Sequence, residues 1–253
     1  MTKTGLTKTI LVTGASRGIG RATAELAGER GWSVGVNFMG QELAAAGVVA
    51  TVEGTGGHAI PIRGDVAEED DVIAMFAATE EAFGPLDGVV INAGIAAQAM
   101  PLAEMSAARM RRLFEVNILG SYLCAREAAR RMSRSRGGRG GSIVLVSSVS
   151  ARLGSPFEFV DYAGSKAAMD TLALGLSKEL GREGVRVNAV RPGLIDTEIH
   201  ATSGQPDRAM LLADTTPIGR PGHPREIAEA IVWLLSDAAS YTSGAILDVA
   251  GGR

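Results

Sequence analysis

The sequence predicts a single doubly wound α/β domain in which a parallel seven-stranded sheet carries helices on both faces. Three observations lead there. Seven short β-branched or apolar runs recur along the 253 residues, and Ala-rich or charged stretches with helical spacing lie between them. The runs are also apolar throughout rather than alternating, as strands buried on both faces are. Strand–helix alternation of this kind builds parallel βαβ crossovers.

In order, the first run is TILVT at 9–13, followed by a glycine turn and a helix at about 19–30. The second, SVGVNF at 33–38, precedes a helix at 41–53. The third, HAIPI at 58–62, contains Pro61, whose missing N–H is tolerated mainly at a sheet edge; a helix at 68–83 follows. GVVIN at 88–92 precedes a long helix at 103–133, closed by the Gly/Arg segment RSRGGRGG at 134–141, which is expected to be a mobile surface connection. SIVLVS at 142–147 leads to a helix at 161–182. VRVNAV at 185–190 is followed by about thirty residues with no clear strand, then a helix at 224–237 and a last strand at 245–249. A long irregular segment in a compact domain is usually a lid or binding loop, here placed at about 194–216.

Composition narrows the function. A hydrophobic fraction of 46% with 21% charged residues supplies a core and excludes a disordered chain, despite 33 glycines. With 25 basic and 28 acidic residues the net charge is −3, which gives no field for nucleic acid or an anionic membrane. The arginines at 126, 130 and 131 and in the 134–141 segment read as a solvated helix C-terminus. No apolar run is long enough to span a bilayer. Cys124 alone cannot form an internal disulfide, and one thiol with His58, His200 and His223 scattered along the chain offers no metal-ligand spacing. A reducing, cytoplasmic compartment fits. The polar stretch Met1 to Thr9 has no apolar leader or small-residue cleavage site.

The first strand runs into Thr13-Gly14-Ala15-Ser16-Arg17-Gly18-Ile19-Gly20. Gly14 permits a tight turn, Gly18 lets backbone approach a pyrophosphate, and Gly20 lets the helix pack close to the strand; phosphate would sit over the helix N-terminus. This is a Rossmann-type dinucleotide cradle. The second strand ends Asn37-Phe38, with no Asp or Glu for the ribose hydroxyls, whereas Arg17 carries a forked, permanently charged group suited to a 2′-phosphate. NADP(H) is therefore expected in preference to NAD(H), which remains possible.

The chemistry is expected at Tyr162-Ala163-Gly164-Ser165-Lys166, after a strand ending Val146-Ser147-Ser148. Tyr and Lys four apart on a helix share a face. A phenol of pKa about 10 becomes a usable proton donor or acceptor if a neighbouring ammonium and a positive nicotinamide ring lower it. Ser148 could hold the substrate oxygen and polarise a carbonyl.

On these residues the chain resembles the classical short-chain dehydrogenase/reductase family over essentially its whole length. Its cofactor turn matches Thr13 to Gly20 and its adenine-side acid matches Asp65 in Gly64-Asp65-Val66. Its N-A-G motif matches Asn92-Ala93-Gly94, its helix asparagine Asn117, its serine Ser148, and its Y-x-x-x-K pair Tyr162 and Lys166. Its P-G motif matches Pro192-Gly193, with Thr197 shortly after. The resemblance implies reversible hydride transfer between a nicotinamide and a carbonyl or secondary alcohol. Tyr162 would be the acid/base, Lys166 would lower its pKa and bind the nicotinamide ribose, Ser148 would orient substrate, and Asn117 would complete a water-linked relay. It also implies a homotetramer, or a homodimer, built on the long central helices and the last strand; Ala167, Leu172, Leu176 and Leu180 suit such a face, although burial inside the subunit suits them equally.

Ser148 and Tyr162 lie fourteen positions apart, about one more than in many members, and the intervening segment from Arg152 to Asp161 resembles that of members described as sugar or glucose dehydrogenases. A sugar, polyol or small ketone is thus the expected substrate. The main rival is a 3-oxoacyl thioester reductase, for which Arg109, Arg111 and Arg112 could offer a basic mouth to an acidic carrier protein. A non-catalytic dinucleotide-binding regulator is a further alternative, since fold alone does not imply chemistry; a two-domain epimerase or dehydratase would need more chain. The lid, with His200 as a candidate substrate contact, is expected to order over the nicotinamide.

Overall fold

The computed structural model describes residues 7–253; residues 1–6 of the polar N-terminal stretch lie outside them. Seven strands form one parallel sheet: β1 (Thr9–Val12), β2 (Ser33–Phe38), β3 (His58–Arg63), β4 (Gly88–Ile91), β5 (Gly141–Val146), β6 (Val185–Pro192) and β7 (Ile246–Val249), in the spatial order β3-β2-β1-β4-β5-β6-β7. The chain first steps outward from β1 through α1 (Gly18–Glu29), β2, α2 (Glu42–Gly54) and β3. It returns by α3 (Glu69–Phe83) to lay β4 on the other side of β1, and then builds in the opposite direction. The connections above β1 and β4 therefore diverge and leave a crevice at the carboxyl ends of the strands, where open α/β sheets bind ligands.

Burial on both faces is visible within β1: Ile10 and Val12 join a core with Val36, Val144 and Ile231, while Leu11 faces a second core with Phe76, Leu145 and Met169. Successive strand side chains point to opposite faces, so two apolar layers need strands apolar at every position. Pro61 is on β3, an edge strand, as its chemistry requires. The last helix, α10 (Pro224–Leu235), starts with proline in its first turn and a reciprocal cap: His223 Nδ1 accepts from Arg225 N–H at 3.2 Å and Glu226 accepts from His223 N–H at 2.7 Å.

Three expectations are corrected. The helix expected at 103–133 is broken into α4 (Ala107–Phe114), a π-turn (Glu115–Leu119) and α5 (Gly120–Met132). A π-turn accommodates one residue more than an α-turn and recurs at functional sites; this one contains Asn117. Second, the 134–141 segment is knitted into the fold: Gly138 N–H donates to Ser133 O at 2.9 Å, Gly140 N–H to Met132 O at 2.8 Å and Gly141 N–H to Gly184 O at 3.0 Å. The arginines near it meet carboxylates of this chain, Arg126 with Glu69, Arg131 with Glu80 and Glu127, Arg139 with Asp87. Third, residues 194–216 hold short helices, α8 (Ile199–Thr202) and α9 (Arg208–Leu211), that follow α6 (Ser150–Leu153), α7 (Val160–Leu180) and β6 in the chain.

Cys124 is fully enclosed in α5, and burial pushes its thiol up to about 12. Leu172 and Leu180 are buried inside the subunit; the large apolar side chains that the central helices expose are Phe114, Leu119, Tyr122 and Leu174. No helix among the described residues is long and apolar enough to cross a membrane.

Candidate active site

A cleft of about 590 Å³ opens at the crevice between β1 and β4. Every residue expected to bind cofactor or carry chemistry lines it, except Gly20 and Asn117. Its first wall is the glycine turn. Gly14 adopts φ +62°, and a Cβ there would lie 2.9 Å from Ala93 Cα; a Cβ at Gly20 would lie 2.4 Å from Gly14 O. The turn can therefore be neither bulkier nor looser. Thr13 Oγ1 accepts the N–H groups of Asn92 at 2.9 Å and Ala93 at 3.0 Å, and the Asn92 amide donates back to Thr13 O at 2.9 Å and Gly14 O at 3.1 Å. No side chain caps α1, so its first-turn N–H groups are left for an anion in the cleft. This cradle, with φ +54° at Gly18, fits the pyrophosphate of a dinucleotide.

Asn37 lines the cleft, but its side chain is committed elsewhere. Its Oδ1 accepts Gly14 N–H at 3.0 Å and its Nδ2 donates to Gly64 O at 3.1 Å, so the amide fixes the turn against β3. Asp65 is likewise engaged: Arg112 donates to it at 2.9 Å and Ala67 N–H at 3.0 Å.

The second wall carries the reactive groups. Tyr162 and Lys166 stand one turn apart on α7, with the Lys166 ammonium 5.6 Å from the Tyr162 ring centre and donating to Val146 O at 2.8 Å. Ser148, just beyond β5, accepts Ser150 N–H at 3.1 Å, which leaves its own O–H to donate into the cleft. Asn117 is 1% exposed; its Oδ1 accepts Ile95 N–H at 2.8 Å, and its Nδ2 donates to Ile95 O at 2.9 Å and Ser165 Oγ at 3.1 Å. A Cβ at Gly94 would meet Asn117 Oδ1 and the Lys166 Nζ, each at 3.4 Å, so both groups converge on one backbone point.

Burial pushes the Tyr162 phenol up to about 12, with the Ser148 hydroxyl working the other way, and pulls the Lys166 ammonium down to about 8, opposed by the Asp170 carboxylate. The ring lies deep in protein yet remains partly open to the cleft. The expected lowering of Tyr162 is thus not a property of the protein alone. Without a cation in the cleft, desolvation outweighs the Ser148 hydrogen bond and the side chain is a phenol.

Two ion pairs beside the site have no local sequence signal. Arg109 of α4, considered above for a basic mouth, meets Asp161 at 2.9 Å with the two side chains only 11% and 0% exposed, and also donates to Gln98 O. Asp161 immediately precedes Tyr162, so the pair clamps the start of α7. Arg208 of α9 holds Glu158 with two bonds, at 2.8 and 2.6 Å, and its guanidinium keeps the Glu158 carboxyl below the usual range. His200 lines the cleft with Nε2 bonded to Ile195 O at 2.8 Å; burial lowers its pKa, favouring the neutral ring.

Comparison with known proteins agrees with this geometry. Residues 14–253 match the family model described as enoyl-(acyl carrier protein) reductase. The chain is 48% identical over 243 residues to an uncharacterized oxidoreductase, YgfF, of Escherichia coli, covering 96% of this chain and 98% of that protein. It is 40% identical to an L-rhamnose 1-dehydrogenase (NAD(P)(+)) of a Sphingomonas strain, covering 97% and 95%. A crystal structure of a short-chain type dehydrogenase/reductase from Mycobacterium marinum superposes with a TM-score of 0.90 at 34% identity, covering 98% and 96%. The chain belongs to the short-chain dehydrogenase/reductase family, oxidoreductases that act on CH–OH groups with nicotinamide cofactors.

Proposed function

We propose that the protein is an NADP-preferring oxidoreductase that interconverts a secondary alcohol and its carbonyl, with a sugar, polyol or small ketone as substrate. The observation that carries this is the convergence of Ser148, Tyr162 and Lys166 on the same cleft as the glycine cradle. Gly14, Ser16, Gly18 and Ile19 would hold the pyrophosphate, Arg17 the 2′-phosphate, Asp65 and Val66 the adenine end, and Asn92, Ala93, Gly94, Pro192, Gly193 and Thr197 the nicotinamide end. When bound, the nicotinamide supplies or takes the hydride.

The chain's own residues handle the proton and the position. Ser148 Oγ–H donates to the substrate oxygen and aims it at Tyr162. The Tyr162 hydroxyl gives its proton to that oxygen in reduction and takes it back in oxidation. Lys166, anchored on Val146 O, places its positive charge beside the phenol and steadies the phenolate left behind. Because the side-chain amide of Asn117 is engaged with Ile95 and Ser165, the relay expected of it would run through its main-chain carbonyl, which accepts Ser121 Oγ–H at 2.8 Å.

A hydroxylated ring is supported by the L-rhamnose dehydrogenase relative and by the Glu158–Arg208 pair on the substrate side. The thioester alternative is weakened, since two of the three arginines argued for its basic mouth are already paired, Arg109 with Asp161 and Arg112 with Asp65. Initial rates with NADP⁺ and NAD⁺ against aldoses, polyols and cyclic alcohols, and with NADPH against acetoacetyl thioesters, test both. Sugar oxidation faster with NADP⁺ is expected, and turnover confined to the thioester would refute the reading. We further place the protein in the cytoplasm as a homotetramer or dimer, which light scattering checks.

A further inference from the structure

The end of β2 offers a ribose neither a carboxylate nor a cation, for positions 38–41 are Phe38, Met39, Gly40 and Gln41. The neighbouring strand supplies what they lack. The parallel register of β2 and β3 sets Arg63 beside Phe38, about 4.8 Å away across the ladder. Arg63 is the last residue of β3, so it stands at the carboxyl edge of the sheet, where the cleft opens. It is exposed and lines, with Met39, Gly40, Gly64, Asp65 and Asp71, a recess that shares four of those residues with the main cleft.

The carboxylates in that recess are already engaged. Asp71 accepts Asp65 N–H at 2.8 Å, and Asp65 is held by Arg112 and Ala67 N–H. The guanidinium of Arg63 has no hydrogen-bonded or ion-paired partner among the described residues, and neither has that of Arg17 on the glycine turn; both are open to the cleft and its recess. A side-chain cation left unneutralised at the mouth of a cleft, with no acid at the end of β2 to repel a dianion, is matched to a phosphate.

We propose that Arg63 is a determinant of cofactor choice, acting from the edge strand as the second guanidinium, beside Arg17, for the 2′-phosphate of the adenosine ribose. This rests on the assignment of the cleft to NADP(H), and the test separates the two. Calorimetric titration of the full-length protein with 2′,5′-ADP and 5′-AMP reads the phosphate without turnover, on wild type, Arg63→Gln, Arg63→Lys and Arg17→Gln; thermal melts confirm that each variant is folded. Wild type is expected to prefer 2′,5′-ADP. Arg63→Gln should weaken it about tenfold while leaving 5′-AMP unchanged, and Arg63→Lys should retain part of the affinity. If Arg17→Gln weakens 2′,5′-ADP but Arg63→Gln does not, the role of Arg63 is overturned and the NADP assignment stands. Equal loss of both ligands in Arg63→Gln also overturns it. Equal wild-type affinity for the two ligands overturns the NADP preference itself.

Discussion

On the cofactor side of the cleft, the turn after β1 is held by short-range uncharged bonds: Thr13 and Asn92 tie it to β4, and Asn37 ties it to β3. On the Tyr162 side, the segment before that residue and the short helix α9 are held by paired charges, Arg109 with Asp161 and Arg208 with Glu158. The first wall has little freedom to spare, since a side chain at Gly14 or Gly20 would press into Ala93 or the Gly14 carbonyl. The second can change: an ion pair reaching from a short helix to a loop can be exchanged or released without disturbing the sheet. A wall that meets a constant phosphate can be rigid, whereas a wall that meets the variable part of a substrate is built from replaceable side chains.

That contrast can be broken in stages. The largest effect is expected where the two walls meet: Tyr162→Phe should lower kcat by about 10²–10⁴-fold with NADPH affinity, followed by its fluorescence, unchanged. Parallel loss of both would instead make Tyr162 a binding residue. Next, Gly14→Ala should destabilise the fold by about 1–3 kcal/mol, because it forces a side chain into positive φ and against Ala93; a denaturant midpoint equal to wild type would deny that the first wall is rigid.

Lys166 provides a pH signature. Its pKa in the fold, about 8, lies below the ordinary 10.5, so the unfolded chain binds the extra proton between those values and burial of the charge costs stability at neutral pH. The stability of wild type relative to Lys166→Met should rise as pH climbs from about 8 to about 10.5, by on the order of 3 kcal/mol at most. Urea midpoints of the two proteins near neutral and near pH 10 measure it, and a pH-independent difference would sink the idea. The smallest structural effect belongs to the second wall. Arg208→Ala should cost no more than about 1 kcal/mol, yet raise KM and speed proteolysis within residues 194–216; unchanged KM and cleavage would show that the pair does not hold the lid.

The legibility of the sequence follows the same division. The cofactor turn, Tyr162 with Lys166, and the edge position of Pro61 could be read because each depends on residues a few positions apart. Arg109 could not, because its partner lies 52 positions away and nothing in AARMRRLF distinguishes a buried arginine from a solvated one. The π-turn at Asn117 was hidden for a related reason: a single accommodated residue leaves the helical pattern of the flanking segments intact. Leu172 and Leu180 suited either an interface or a core, and only the packed subunit decides between them.

The enclosed thiol of Cys124 has a practical consequence. As the chain's single cysteine, sealed from solvent and far from its reactive anionic form, it leaves the surface blank to maleimides. A cysteine introduced at Leu211, 80% exposed on α9, would therefore take a fluorophore at one address, and whether residues 194–216 move when ligand binds could be read optically in the otherwise unmodified protein.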